Sequence, residues 1–114
     1  MLTLLVIRSR DMDKLSTFYA ALGLRFTRHR HGTGLEHLSS TIGETVFEIY
    51  PAKTAIESTA STRLGFSVPS LAETLNHLRR LQATVVSEPS DSQFGRRAVV
   101  QDFDGHKVEL YEKP

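Results

Sequence analysis

The hydrophobic pattern changes rhythm along the chain, and it does so in the same order twice. Residues 2–8 are rich in Leu, Val and Ile and read as a strand. Asp11 then stands where a helix N-cap belongs. Met12, Leu15, Phe18, Tyr19 and Leu22 follow at helical spacing and make one apolar stripe. Gly23 stops that helix. Leu24 to His31 reads as extended, Gly32-Thr33-Gly34 as a turn, and Leu35 to Ile42 as a further strand. Gly43-Glu44 turns the chain tightly into Val46-Phe47-Glu48-Ile49-Tyr50, where apolar and polar residues alternate with a period of two.

Residues 52–61 are small and polar, lose all periodicity and read as a linker. The order then starts again. Arg63 to Val68 predicts a strand. Pro69 and Ser70 open a helix with Leu71, Leu75, Leu78 and Leu81 on one side. Thr84 to Ser87 predicts a short strand, Glu88 to Gly95 a polar loop, and Arg97 to Gln101 another strand. Asp104-Gly105 turns into a last strand over 106–112. The pattern therefore predicts βαβββ twice: one domain over 1–114, with a first module at 1–51 and a second at 62–114. Loop 88–96, with Phe94, Arg96 and Arg97, is expected to act as a lid or a dimer contact.

The duplication is visible in the residues themselves. Val46-Phe47-Glu48-Ile49-Tyr50 returns 61 positions later as Lys107-Val108-Glu109-Leu110-Tyr111. Each copy puts a glutamate and a tyrosine on one strand face and two apolar residues on the other. Phe47, Ile49, Val108 and Leu110 are expected to face the helices. The glutamates have three readings: surface groups, ion-pair partners or metal ligands.

Composition narrows the function classes. The net charge of +1 provides no field for nucleic acid. No cysteine is present, which removes disulfides, thiolate zinc sites and a cysteine nucleophile. The apolar N-terminal stretch breaks at Arg8, too soon for a membrane span or a signal h-region, and a cytoplasmic location is the default expectation. Neither a Gly-rich phosphate loop nor a nucleophile elbow occurs.

Three segments carry a family resemblance: Asp11-Met12-Asp13-Lys14-Leu15-Ser16-Thr17-Phe18-Tyr19, Leu22-Gly23-Leu24, and Asp102-Phe103-Asp104-Gly105-His106-Lys107-Val108-Glu109-Leu110. Together with the doubled βαβββ order, they make the chain resemble the vicinal oxygen chelate superfamily. That group includes glyoxalase I, extradiol dioxygenases, fosfomycin-resistance enzymes and bleomycin-resistance proteins. The resemblance implies an α+β fold whose two modules form a curved, cup-shaped mixed sheet with helices on its outer face. It also implies a homodimer. Metal-dependent members place ligands on the first and fourth strands of each module, in the order His, Glu, His, Glu. Carried onto this chain, the four positions are Leu4, Glu48, Arg63 and Glu109. Leu4 has no donor atom and Arg63 is a permanent cation, so half of the metal set is missing.

The resemblance thus implies a protein that binds a small molecule in the cup without an intact metal centre and with no cofactor expected. The candidate ligand-binding residues are Arg8, His37, Glu48, Tyr50, Arg63, Glu109 and Tyr111. Period two puts Arg8 on the face of Leu4 and Val6, and with Arg63 it offers cations to an anionic ligand. Two alternatives stand beside this reading. One is a divergent lyase or dioxygenase in which Glu48 and Glu109 hold a divalent metal, helped by His37 or His106. The other is a non-catalytic structural or partner-binding module. His29, His31 and His37 form a further constellation with zinc or nickel geometry. His77 is expected to be exposed.

Overall fold

The computed structural model describes residues 1–114 and divides the chain into two compact units, Met1–Thr59 and Ala60–Pro114. Each unit contains one βαβββ module, so the fold is α+β, as the pattern predicts.

The first unit runs β1 (Leu4–Ser9), α1 (Met12–Ala20), β2 (Thr27–His29), β3 (His37–Ile42) and β4 (Thr45–Pro51). Its sheet has the order β1-β4-β3-β2, with β1 parallel to β4 and the other pairs antiparallel. Asp11 caps α1 by accepting a hydrogen bond from the Lys14 N–H at 3.1 Å. Gly23 takes a φ of +105°, a left-handed conformation that lets the Leu24 N–H return to the Tyr19 carbonyl at 3.2 Å. The predicted stripe supplies the core: Leu15, Phe18, Tyr19 and Leu22 are buried, while Met12 is half-buried. Tyr19 meets Phe47 edge to face, with ring centroids 5.1 Å apart. Phe47 and Ile49 therefore face the helix.

The extended stretch expected over Leu24 to His31 is strand only at β2, three exposed residues on the sheet edge. Ion pairs hold it. Arg28 reaches both Glu36 and Asp13, and Arg30 lies 3.3 Å from Glu36. The Arg28 hydrogen bond holds the Glu36 carboxyl below the usual carboxylate range.

The second unit runs β5 (Leu64–Ser67), α2 (Leu71–Arg80), β6 (Thr84–Ser92), β7 (Gly95–Gln101) and β8 (Lys107–Glu112), in the sheet order β5-β8-β7-β6. Ser70 caps α2 through the Glu73 N–H at 3.2 Å. Glu112, at the end of β8, accepts from the Leu71 N–H at 2.7 Å, placing a carboxylate at the positive end of the helix. Leu71, Leu75 and Leu78 are buried, each stabilising the unit by about 1.5–3 kcal/mol. Thr74 is buried beside them, Leu81 is half-buried and His77 is exposed.

The hairpin is where sequence and structure part. The polar loop expected over 88–96 is instead two strands. β6 continues through Ser92, and β7 begins at Gly95. No residue of β6 is buried. Its pairing with β7 slips between Val85 and Ser87 and again between Ser87 and Ser90. Pro89 falls inside the second slip, on an edge strand, where its missing N–H costs no ladder bond. The segment expected as a loop, serving as a lid or a dimer contact, is thus an exposed hairpin arm, with Phe94 at its tip. No helix is long and apolar enough to cross a membrane.

Candidate functional site

The repeated strand occupies the same place in both units. β4 lies between β1 and β3, and β8 between β5 and β7. Val6 and Ser39 flank Glu48, and Gly65 and Val99 flank Glu109. Period two then gives each sheet one apolar face against its helix and one polar face. The candidate residues stand on the polar faces.

In the first unit, His37, Glu48, Tyr50 and Arg8 come together. The His37 ring is buried and stacks on Tyr50, with centroids 4.3 Å apart and planes 6° apart. Its Nε2 lies 3.2 Å from Glu48 Oε2 and its Nδ1 lies 3.2 Å from the Leu35 carbonyl oxygen. Both neighbours are acceptors, a carbonyl on one side and a carboxylate on the other, and together they orient the ring. Arg8 donates to the Pro51 carbonyl at 3.1 Å and sets its guanidinium 5.4 Å from the centre of the Tyr50 ring. Tyr50 is held between sheet and neighbours as a ring with a fixed plane.

His29 and His31 extend this group of rings. Their centroids lie 5.9 and 5.5 Å from that of His37. His29 Nε2 is 2.7 Å from Thr27 Oγ1. The three imidazoles are stacked or tilted rather than convergent. Nowhere does the chain bring three or more His, Asp or Glu side chains into an arrangement that could hold a metal ion.

In the second unit, Glu109 is surrounded. Arg97 donates to its Oε1 from Nε at 2.7 Å and again from Nη2. Arg63 Nε stands 3.5 Å from Oε2, and the Tyr111 hydroxyl donates to Oε1 at 3.3 Å. The Arg97 hydrogen bond, with Arg63 behind it, outweighs partial burial and holds the Glu109 carboxyl below the usual carboxylate range. The same bond raises Arg97. Arg63 thus meets Glu109, but Arg97 is its closer partner. The hairpin register could have revealed this: the Asp104-Gly105 turn sets Gln101 against Lys107, which puts Arg97 against Tyr111 and on the glutamate's face.

Leu4 is about half exposed at the outer end of β1. His106, a candidate helper for a metal, is fully buried instead of open on the polar face. Its Nδ1 lies 2.9 Å from Asp102 Oδ2. Asp102 Oδ1 also accepts from the N–H groups of Asp104 and His106, at 2.9 and 3.0 Å. This carboxylate ties the β7–β8 turn together, and His106 serves that turn.

Comparison with known proteins agrees with this architecture. TnmS3 from Streptomyces sp. CB03234, described as an antibiotic binding protein, is similar with a TM-score of 0.76 and 18% identity, over 100% of this chain and 96% of its own. A hypothetical protein from S. aureus gives 0.73 and 22% identity, over 96% and 94%. A glyoxylase/bleomycin resistance protein/dioxygenase domain from Frankia sp. EAN1pec gives 0.73 and 16%, over 100% and 98%. At these identities the likeness speaks for the fold alone. No curated protein matches the sequence. The family model described as Glyoxalase/Bleomycin resistance protein/Dioxygenase superfamily matches residues 2–110, and the chain belongs to that superfamily.

Proposed function

We propose that this chain binds a small organic molecule on the polar face of its first sheet and does so without a metal centre. The observation that carries the reading is the engagement of both glutamates. Glu109 is held by Arg97 and Arg63, and Glu48 faces His37. A carboxylate held by two guanidiniums is a poor ligand for a divalent cation, because the metal must displace one positive charge and tolerate another. Leu4 and Arg63 supply no donor at the remaining family positions. The donor set does not fit the ion that a lyase or dioxygenase of this superfamily would use.

The polar face of the first sheet suits an organic ligand. Tyr50 and His37 form a preorganised stacked pair, whose order is already set before binding. Arg8, beside Tyr50, offers positive charge to a carboxylate or phosphate on the ligand. A planar molecule with an anionic group matches this chemistry. The description of TnmS3 as an antibiotic binding protein supports a small organic ligand.

Thermal unfolding tests the proposal. A ligand that binds only the folded chain, present at about 100 times its Kd, adds about 2.7 kcal/mol. For a chain of this size that is a rise of about 10 °C. Polycyclic aromatic antibiotics with acidic groups are expected to raise Tm in the presence of a chelator. Manganese or nickel ions alone are expected to leave it within about 1 °C, since no native-state site binds them. A large rise with metal and none with any organic ligand would reverse the assignment.

A further inference from the structure

We infer that the second unit contains an oxyanion-binding pocket at the start of β5 and β8, built without any residue of the first unit. A cavity of about 270 Å³ opens there between Ala60, Ser61, Thr62, Arg63, Gly105 and Lys107. It is smaller than the roughly 300–1,000 Å³ of a site for a drug-sized molecule, and it suits one charged group with its waters.

The lining is chemically one-sided. It has two cations and two hydroxyls, and no carboxylate. The Lys107 ammonium makes no ion pair, and the hydroxyls of Ser61 and Thr62 donate to no protein acceptor. Arg63 is only partly neutralised. It shares Glu109 with Arg97, which makes the closer contacts, so two guanidiniums meet one carboxylate. The local field therefore favours an anion, and the free donors favour one with several acceptor oxygens. A phosphate monoester or a carboxylate has that form.

The Gly105 wall of the pocket is fixed before any ligand arrives. Gly105 has a φ of +95°, its N–H donates to the Asp102 carbonyl at 3.2 Å, and its carbonyl accepts from Gln101 Nε2 at 3.2 Å. The Asp102 carboxylate holds the same turn from inside. A rigid wall spares the pocket the ordering cost that a free loop would add on binding. The inference stands whether or not a larger molecule binds on the polar face of the first sheet, because every group it uses lines this cavity or flanks it on β7 and β8.

The test is an NMR titration of the isotope-labelled full chain with inorganic phosphate, and in a separate arm with acetate, at constant ionic strength set by chloride. Saturating shifts of the Ser61, Thr62, Arg63, Gly105 and Lys107 amides are expected with phosphate. Saturation with acetate as well identifies the shared oxyanion chemistry; phosphate alone identifies a tetrahedral dianion. Lys107→Gln, a surface change that leaves Tm in place, is expected to weaken phosphate binding about fivefold, as loss of one half-solvated charge contact does. Ser61→Ala is expected to weaken it less. Shifts that stay linear in both anions, or a Lys107→Gln chain that binds phosphate like the parent, would overturn the inference.

Discussion

Arg97→Met tests the central ion pair of the second unit. The substitution keeps an apolar stem of similar length and removes both guanidinium hydrogen bonds to Glu109. Charged hydrogen bonds contribute about 1.5–3 kcal/mol when well buried, and exposed ion pairs about 0.2–1 kcal/mol. The side chains of Arg97 and Glu109 are 32% and 22% exposed, which places the pair between those limits. Arg63 stays within 3.5 Å and takes up part of the loss. A double-mutant cycle with Glu109→Gln should therefore give a coupling of about 1 kcal/mol at neutral pH, or about 4 °C in Tm. The sign of the pH dependence follows from the direction of the shift. Glu109 stays ionised in the folded chain at a lower pH than in the unfolded one. Its contribution is therefore complete above the ordinary carboxylate range and is lost as pH falls through the lowered value. Urea unfolding of the four chains, followed by circular dichroism at neutral and acid pH, measures both. A neutral-pH coupling under about 0.3 kcal/mol, or one that persists unchanged in acid, refutes the reasoning.

Two backbone predictions accompany it. Gly95→Ala should cost about 3 kcal/mol or fray the hairpin outright, because φ there is +113° and a Cβ would collide with the Glu112 carbonyl oxygen; loss of amide-exchange protection across β6 and β7 is the readout. Gln82 ends α2 with a φ of 65°, a left-handed position that a non-glycine residue occupies at a cost. Gln82→Gly should raise stability by about 0.5 kcal/mol, the relief of that strain less the extra freedom of an unfolded glycine, and urea midpoints check it.

What could be read from the sequence follows from which faces are buried. α1, α2, β4 and β8 each bury one face, and their period of 3.6 or two announces them along with the duplication. β6 buries neither face, so Glu88 to Ser92 carries no alternation, and Pro89 marks it as a breaker. Its strand conformation comes from pairing with β7, which no local signal encodes. β2 is legible only in part for the same reason: three exposed residues pair with β3, and charges at Arg28, Glu36 and Asp13 brace them. At the site, the repeat itself exposes the two glutamates and their tyrosines. Arg97 as the main partner of Glu109 requires the register across the Asp104-Gly105 turn. His106 looks available because it starts a strand beside that turn. It is buried because Asp102 gathers both its ring and its backbone N–H into the turn.

The central claim is that ligand binding here needs no metal. The measurement that bears on it most directly is calorimetric titration of the chelator-treated full chain with an acidic polycyclic aromatic antibiotic, repeated after saturation with manganese or nickel. Saturable binding of equal affinity in both states, weakened by Tyr50→Leu, is the predicted result. Binding that appears only after metal is added, and that disappears in Glu48→Gln or Glu109→Gln, would contradict the account.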